Sequence, residues 1–277
     1  MIRLLCSDFD NTLAHRTRLH PDTVTALKAL EEAGIAFCIV TGRLASNIRG
    51  LLAAYGIHCH IVADNGAYSL WKGKEEAGGR VIDPEDVKRI MTLCEKHRWP
   101  YFLYDKEICY LPDDLLPFLR WSWVQRIISH VMKSPVQGVR EGLLEGESGQ
   151  VYKALVFPRK SDMALAKEVF GKEEGLWVTS SSKRKVELCA RGVDKWFGIR
   201  PIMDKLGITA NEVACIGDYD NDLEMLEACG LPCAVANANE KVKRVAKLVF
   251  PSAKEGGVAK LCDYLREEGR EETKNGN

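Results

Sequence analysis

Short apolar runs that alternate with segments of helical period constrain this chain more than any other feature. LLCSDF (4–9) reads as a strand, and PDTVTALKALEEAG (21–34) follows as a helix with Val24, Leu27 and Leu30 on one face, Pro21 in the first turn and Gly34 at the stop. IAFCIV (35–40), SNIRGLLAAYG (46–56) and HIVADNGA (60–67) repeat the order strand, helix, strand. The rhythm returns late in the chain with a helix over 195–206, the strand VACIG (213–217), the helix NDLEMLEACG (221–230) and the short strands CAVA (233–236) and LVFP (248–251). Uninterrupted apolar strands joined by helices are the grammar of βαβ units, which build a parallel sheet covered on both faces.

Between these two halves the grammar changes. A helix, PEDVKRIMTLCEKH (84–97), precedes two strand-like runs, YFLYD (101–105) and EICYL (107–111), whose short connection suits an antiparallel hairpin. A helical, aromatic-rich segment over 114–132 comes next, then the strand YKALVF (152–157), the helix SDMALAKEVFG (161–171) and the strands LWVTSS (176–181) and KVELCA (185–190). The pattern predicts an α/β protein: a discontinuous Rossmann-like parallel-sheet core over 1–82 and 190–265, and an α+β domain over 83–189 inserted into it, with hinges near Gly78–Asp83 and Ala190–Asp194. At 277 residues, two domains agree with ordinary domain sizes. The end REEGREETKNGN (266–277) is charged and lacks an apolar period, which predicts a solvated, disordered tail.

Lys and Arg number 39 and Asp and Glu number 39, so no basic excess points to nucleic acid or an anionic membrane; a small molecule is the expected partner. The N-terminus lacks the pattern of a secretory signal, and no apolar run approaches the roughly 18 residues of a membrane helix, so a cytoplasmic protein is expected. The ten cysteines are scattered, mostly in apolar contexts, with no CxxC pair and Cys229 to Cys233 as the nearest spacing to one, so they read as reduced, buried small hydrophobes. The six histidines form no metal pair, and His58 and His60 flank a strand entrance where a structural role is expected.

In an open parallel sheet the ligand crevice lies beyond the carboxyl ends of the strands. Those ends carry Asp8 and Asp10, then Thr41-Gly42-Arg43, then Asp64-Asn65-Gly66, and late in the chain Gly217-Asp218 with Asn221-Asp222. Any one of these alone is ordinary turn chemistry. Converging in one crevice, several carboxylates would repel one another and raise each other's pKa unless a cation joined them, and Mg²⁺ is the hard ion that binds through one or two carboxylates, waters and a substrate phosphate. Thr41, Gly42 and Lys195 suit that phosphate as a hydroxyl, a backbone N–H and a point charge.

DFDNTL, TGR, DNGA, GVDK and GDYDNDLEML, in this order, resemble the signature of the haloacid dehalogenase-like superfamily, in particular the Cof-type phosphatases with a large α+β cap; the resemblance extends to about Leu265. It implies that Asp8 is the nucleophile forming an aspartyl phosphate, and that Asp10 protonates the leaving alkoxide and then deprotonates the hydrolytic water. It further implies that Asp8, the Asp10 carbonyl and Asp218 bind Mg²⁺ with Asp222 supporting the metal, and that Asn221 orients phosphate or Lys195. Thr41, Gly42 and Lys195 are expected to receive the substrate phosphate, and Arg43 either to reach the substrate or to hold its loop. The activity so implied is a phosphatase for a small phosphorylated metabolite; a sugar phosphomutase of the same superfamily, or a phospho-ligand-binding protein without turnover, are the alternatives.

Three positions depart from the commonest Cof pattern: Asn11 replaces a frequent glycine, Asp64 a frequent glutamate, and Trp196 the small residue that often follows the motif lysine. Trp196 is expected to pack under its helix, and the rings of Trp99, Tyr101, Phe118, Trp121 and Trp123 are expected in the core or at a domain interface. Strand alternation is expected to turn Phe9 inward, leaving Asp8 and Asp10 on the side of the crevice.

Overall fold

The structure is a computed structural model that describes residues 1–106, 108–112, 136–139, 150–180 and 184–275, the last five by their backbone only. It divides into two compact units: residues 1–42, 51–78 and 194–277, and residues 43–50 with 79–193. The short segment 43–50, expected in the core, groups with the second unit, where Leu44 packs with Tyr104, Cys109, Leu111 and Leu155.

In the first unit, eight strands form one sheet in the spatial order Leu248–Phe250, Leu231–Val235, Val213–Gly217, Leu4–Asp8, Ala36–Val40, His60–Ala63, Tyr68–Trp71, Glu75–Gly79. The first six are mutually parallel. Leu4–Asp8 and Val213–Gly217 are buried at every residue, as apolar strands covered on both faces must be. Tyr68–Trp71 pairs antiparallel with His60–Ala63, extending the sheet beyond the βαβ pattern; its short polar-interrupted run carries too weak a period to be legible beforehand.

From Leu4–Asp8 the chain winds outward through Ala36–Val40 and His60–Ala63, whereas the late strands are added on the other side, beginning with Val213–Gly217. The order of the strands therefore reverses between Leu4–Asp8 and Val213–Gly217. Such a switch point leaves a crevice at the strands' carboxyl ends, because the connections depart to opposite sides.

Helix Pro21–Glu32 opens with Pro21 at its first turn and is followed by Gly34 at φ +78, the left-handed stop that glycine permits. Its buried residues are Thr23, Ala26, Leu27 and Leu30, so Leu27 and Leu30 face inward as expected while Val24 is only half-buried. It packs against helix Gly257–Asn275. That helix runs through most of the expected disordered tail, since Leu261, Cys262 and Leu265 anchor it and the following Arg and Glu residues are good helix formers.

All ten cysteines are free thiols, nine of them buried, and Cys6, Cys38 and Cys215 stand side by side in register on three adjacent strands. No helix among the described residues is long and apolar enough to cross a membrane.

The second unit holds a six-stranded sheet in the order Val136–Gly138, Cys109–Leu111, Tyr101–Tyr104, Lys153–Val156, Val186–Ala190, Leu176–Thr179. Its pairings are antiparallel except the first, including the Tyr101–Tyr104 and Cys109–Leu111 hairpin. Helix Pro84–His97 is capped by the Asp83 carboxylate, which accepts from Glu85 N–H at 2.9 Å. Trp99 and Tyr101 are core residues, and the Trp99 indole packs on Phe170 and donates to Asp162 at 3.3 Å. The expected helical segment 114–132, with Phe118, Trp121 and Trp123, lies outside the described residues.

Candidate active site

The crevice at the switch point begins with the end of the first strand. Asp8 is its last residue, lying beside Val40 in register, so that Thr41 follows at the corresponding end of the next strand. Phe9 and Asp10 already belong to a turn, in which Leu13 N–H donates to the Asp8 carbonyl at 3.2 Å and Ala14 N–H to that of Phe9 at 2.9 Å. Phe9 is fully buried, as expected, but this folded-back turn places it there rather than strand alternation. Asn11 takes the left-handed conformation at φ 61, which asparagine tolerates better than most residues.

Lys195 starts helix Lys195–Leu206, whose N-cap Asp194 accepts from Phe197 N–H at 2.7 Å. Two glycines let that helix start approach the Asp64–Gly66 turn. A Cβ on Gly66, at φ +101, would run into the Asp194 carbonyl, and one on Gly198 into Val62 and Gly66. Trp196 is buried within its own helix. Lys195 is 1 % exposed, and its ammonium donates to both Asp8 Oδ1, at 2.6 Å, and Asp222 Oδ1, at 2.5 Å.

Asp222 closes a single 3-10 turn, Asp220–Asp222, and its second oxygen accepts the N–H groups of Asp218 and Tyr219 at 2.8 and 3.0 Å. Gly217 is required here, because a Cβ would collide with the Asp222 carboxyl. Asp218 Oδ1 accepts from the Thr12 hydroxyl at 3.3 Å. Asn221 donates to Asn65 Oδ1 at 3.1 Å, and Asn65 N–H in turn to the Thr41 carbonyl at 3.0 Å, which joins the third strand end to the others.

The carboxylate oxygens of Asp8, Asp218 and Asp222 lie within 4.8 Å of one another. Burial pushes the Asp8 carboxyl well up from its usual range against the pull of Lys195, and the charges of Asp222 and Asp218 add to the rise. Asp218 is pushed up to about 7 by burial and by Asp222. Burial alone would lower Lys195, but the charges of Asp222 and Asp8 outweigh it and hold the ammonium above the ordinary lysine range. With all three ionised, the carboxylates would exceed the one ammonium by two negative charges in an all-oxygen donor set. Such a site could hold a hard divalent metal ion, which would neutralise that excess.

Of the residues expected from sequence, Asp8, Lys195, Asp218 and Asp222 thus meet in one network, and Asn65 joins Thr41 to Asn221, the chain neighbour of Asp222. Asp10 is half-buried and its charge acts on Asp218, although its carboxylate lies outside the close cluster. Gly42 follows Thr41, while Arg43 opens the segment grouped with the second unit. Thr12 was missed as a contributor, and Asn65, placed at its strand end, was given no role. Both stand inside quoted motifs, but nothing in their spacing names the partner each reaches across the fold.

A family model for haloacid dehalogenase-like hydrolases matches residues 5–261. A phosphoglycolate phosphatase of Methanopyrus kandleri is 29% identical over 269 residues, covering 97% of this chain and 99% of that protein. A 5-amino-6-(5-phospho-D-ribitylamino)uracil phosphatase of Bacillus subtilis is 26% identical over 284 residues, covering 95% and 98%. Among solved structures, a haloacid dehalogenase-like hydrolase from B. subtilis superposes with a TM-score of 0.84 at 24% identity, covering 95% of this chain and 100% of that one.

Proposed function

The chain belongs to the haloacid dehalogenase-like hydrolases, and on that premise we propose that it is a Mg²⁺-dependent phosphatase of a small phosphorylated metabolite, working through an aspartyl phosphate on Asp8. The observation that carries this reading is the buried Lys195 ammonium held between Asp8 and Asp222 with Asp218 alongside. A carboxylate oriented by an ammonium at a strand end, next to surplus negative charge, is poised to meet a phosphoryl group and a cation together. The small phosphorylated compounds in the names of two relatives support the substrate class.

In this reading an Asp8 oxygen attacks phosphorus and the bond to the leaving oxygen breaks, while Asp10 donates its proton to the departing alkoxide. The Asp10 carboxylate then takes a proton from water, the hydroxide attacks the acyl phosphate, and phosphate leaves as the Asp8 carboxylate is restored. Lys195 orients Asp8 and favours its ionised form, and the Thr41 hydroxyl and Gly42 N–H receive phosphate oxygens. Asp8, Asp218 and the Asp10 carbonyl would hold Mg²⁺, with Asp222 supporting them and Asn221 orienting Lys195 or phosphate. Bound there, the ion supplies charge neutralisation for the carboxylates and the phosphoryl oxygens.

No single group suffices. Monoester hydrolysis can require acceleration of up to ~10²¹-fold, whereas one acid or base supplies about 10² to 10⁴. Asp8→Asn should abolish phosphate release from p-nitrophenyl phosphate while leaving the circular dichroism spectrum unchanged. Turnover at the wild-type rate in that variant would refute the mechanism, and isomerised product without free phosphate from a sugar phosphate would point to a mutase.

A further inference from the structure

The loop after strand Leu231–Val235 reads ANAN, and its two asparagines reach different acid-bearing loops. Asn239 N–H donates to the Asp218 carbonyl at 3.0 Å, and its side-chain amide donates to Asp220 Oδ1 at 2.9 Å. Lys241 adds an ion pair to the other Asp220 oxygen at 3.1 Å. The Asn237 amide donates to the Asn11 carbonyl at 2.8 Å, while its oxygen accepts from Ala253 N–H at 3.0 Å.

These bonds complete a frame. The Asp218 backbone is held at its N–H by Asp222 and at its carbonyl by Asn239. Asn11, the left-handed residue directly after Asp10, is held at its N–H by the Ala14 carbonyl and at its own carbonyl by Asn237. Neither acid loop has a regular ladder of its own at these points, and the carboxylates that they carry repel one another. Cross-bonds from a loop anchored by its own helix, Glu240–Val245, resist that repulsion together with the direct Thr12–Asp218 bond.

We propose that Asn237 and Asn239 are positioning residues that set the separation of the Asp10–Asn11 and Asp218–Asp220 loops, and thereby preorganise the carboxylate site for a divalent cation. The cation and turnover parts rest on the phosphatase reading above; the frame itself does not. Asn239 also caps its helix, since Oδ1 accepts from Lys241 N–H and Val242 N–H, each at 3.0 Å. Serine caps a helix about as well as asparagine but is too short to bridge to Asp220, so Asn239→Ser separates the two duties.

The test measures three quantities on the full chain: amide hydrogen exchange over 217–222 and 9–14 without metal, Mg²⁺ affinity by calorimetry without substrate, and kcat and KM for p-nitrophenyl phosphate. Asn239→Ser should retain the wild-type Tm, speed exchange over 217–222, and weaken Mg²⁺ binding and kcat by about 10-fold with KM little changed, the low end of the roughly 10–100-fold seen for groups that orient metal ligands. Asn237→Ala should speed exchange over 9–14 and lower kcat. Wild-type exchange and wild-type Mg²⁺ affinity in Asn239→Ser, with only Asn239→Ala losing Tm, would reduce Asn239 to a helix cap and overturn the proposal. If the wild-type protein neither binds Mg²⁺ nor releases phosphate, the phosphatase reading and the preorganisation claim fail together, while the exchange data still decide whether the frame exists.

Discussion

The two rims of the first unit's parallel sheet are made by the same strands and differ in what they bury. At the carboxyl rim, Asp8, Lys195 and Asp222 are sealed from solvent, each charge bonded to another charge or to backbone N–H groups. The amino rim borders a cavity of about 490 Å³ lined by apolar and aromatic groups such as Leu27, Phe37, Ile57 and Trp71, and its charges, Lys28, Glu31 and Lys72, remain exposed. Its buried titratable group, His60, stays neutral: it accepts from Lys72 N–H at 3.1 Å, its ring lies 4.2 Å from that of Trp71, and burial, with the Lys72 charge adding to it, lowers its pKa to about 4. Charge is expensive to bury, so the rim that buries it gives up stability for chemistry, and the other rim does not.

That contrast can be broken most sharply at Lys195. Lys195→Met should abolish turnover and, by leaving two buried carboxylates without their ammonium, cost about 3–5 kcal/mol in urea unfolding. Undiminished stability would mean that the carboxyl rim is not under electrostatic load. Next in size, Mg²⁺ at a hundred times its Kd should stabilise the protein by about 2.7 kcal/mol, and Asp218→Asn should remove most of that increment. An Asp218→Asn variant that keeps the full increment would place the cation elsewhere.

Gly66→Ala puts a methyl group against the Asp194 backbone at a positive φ, displacing the start of the Lys195 helix. It should lower stability by about 1–3 kcal/mol and reduce activity as well, whereas Gly34→Ala, which meets nothing nearby, should affect stability alone.

The smallest effect belongs to the amino rim. Because the folded pKa of His60 lies below its ordinary 6.5, its neutral burial contributes fully above about pH 6.5 and is lost as pH falls toward 4. His60→Asn should flatten the fall of Tm across that window without changing turnover; an unchanged slope would assign the acid sensitivity to other groups.

Much of this was legible because it depends on local pattern. The strands 4–8, 36–40, 60–63 and 213–217 are apolar runs, and their ends are marked by abrupt changes to Asp, Thr and Gly. Lys195, Asp218 and Asp222 were readable from motif order. The turn at Phe9, the Tyr68–Trp71 strand, the helical tail and the grouping of 43–50 were not, since each is decided by what a short segment packs against rather than by its own period. Thr12, Asn65, Asn237 and Asn239 went unassigned for a related reason. Their hydrogen bonds span long sequence separations, and a side-chain amide or hydroxyl carries no mark of the partner that it will find.

By itself, then, the order of apolar runs and acidic strand ends determined a parallel α/β core, an inserted α+β segment and a crevice lined by acidic and small polar residues, because periodicity and residue type act through neighbours along the chain. Only the tertiary structure decided that Lys195 bridges Asp8 and Asp222, that Asp222 and Asn239 hold Asp218 by opposite sides of its backbone, and that His60 at the aromatic rim stays neutral. Those outcomes depend on distances between residues far apart in sequence, where burial raises the energetic stakes of every unpaired charge.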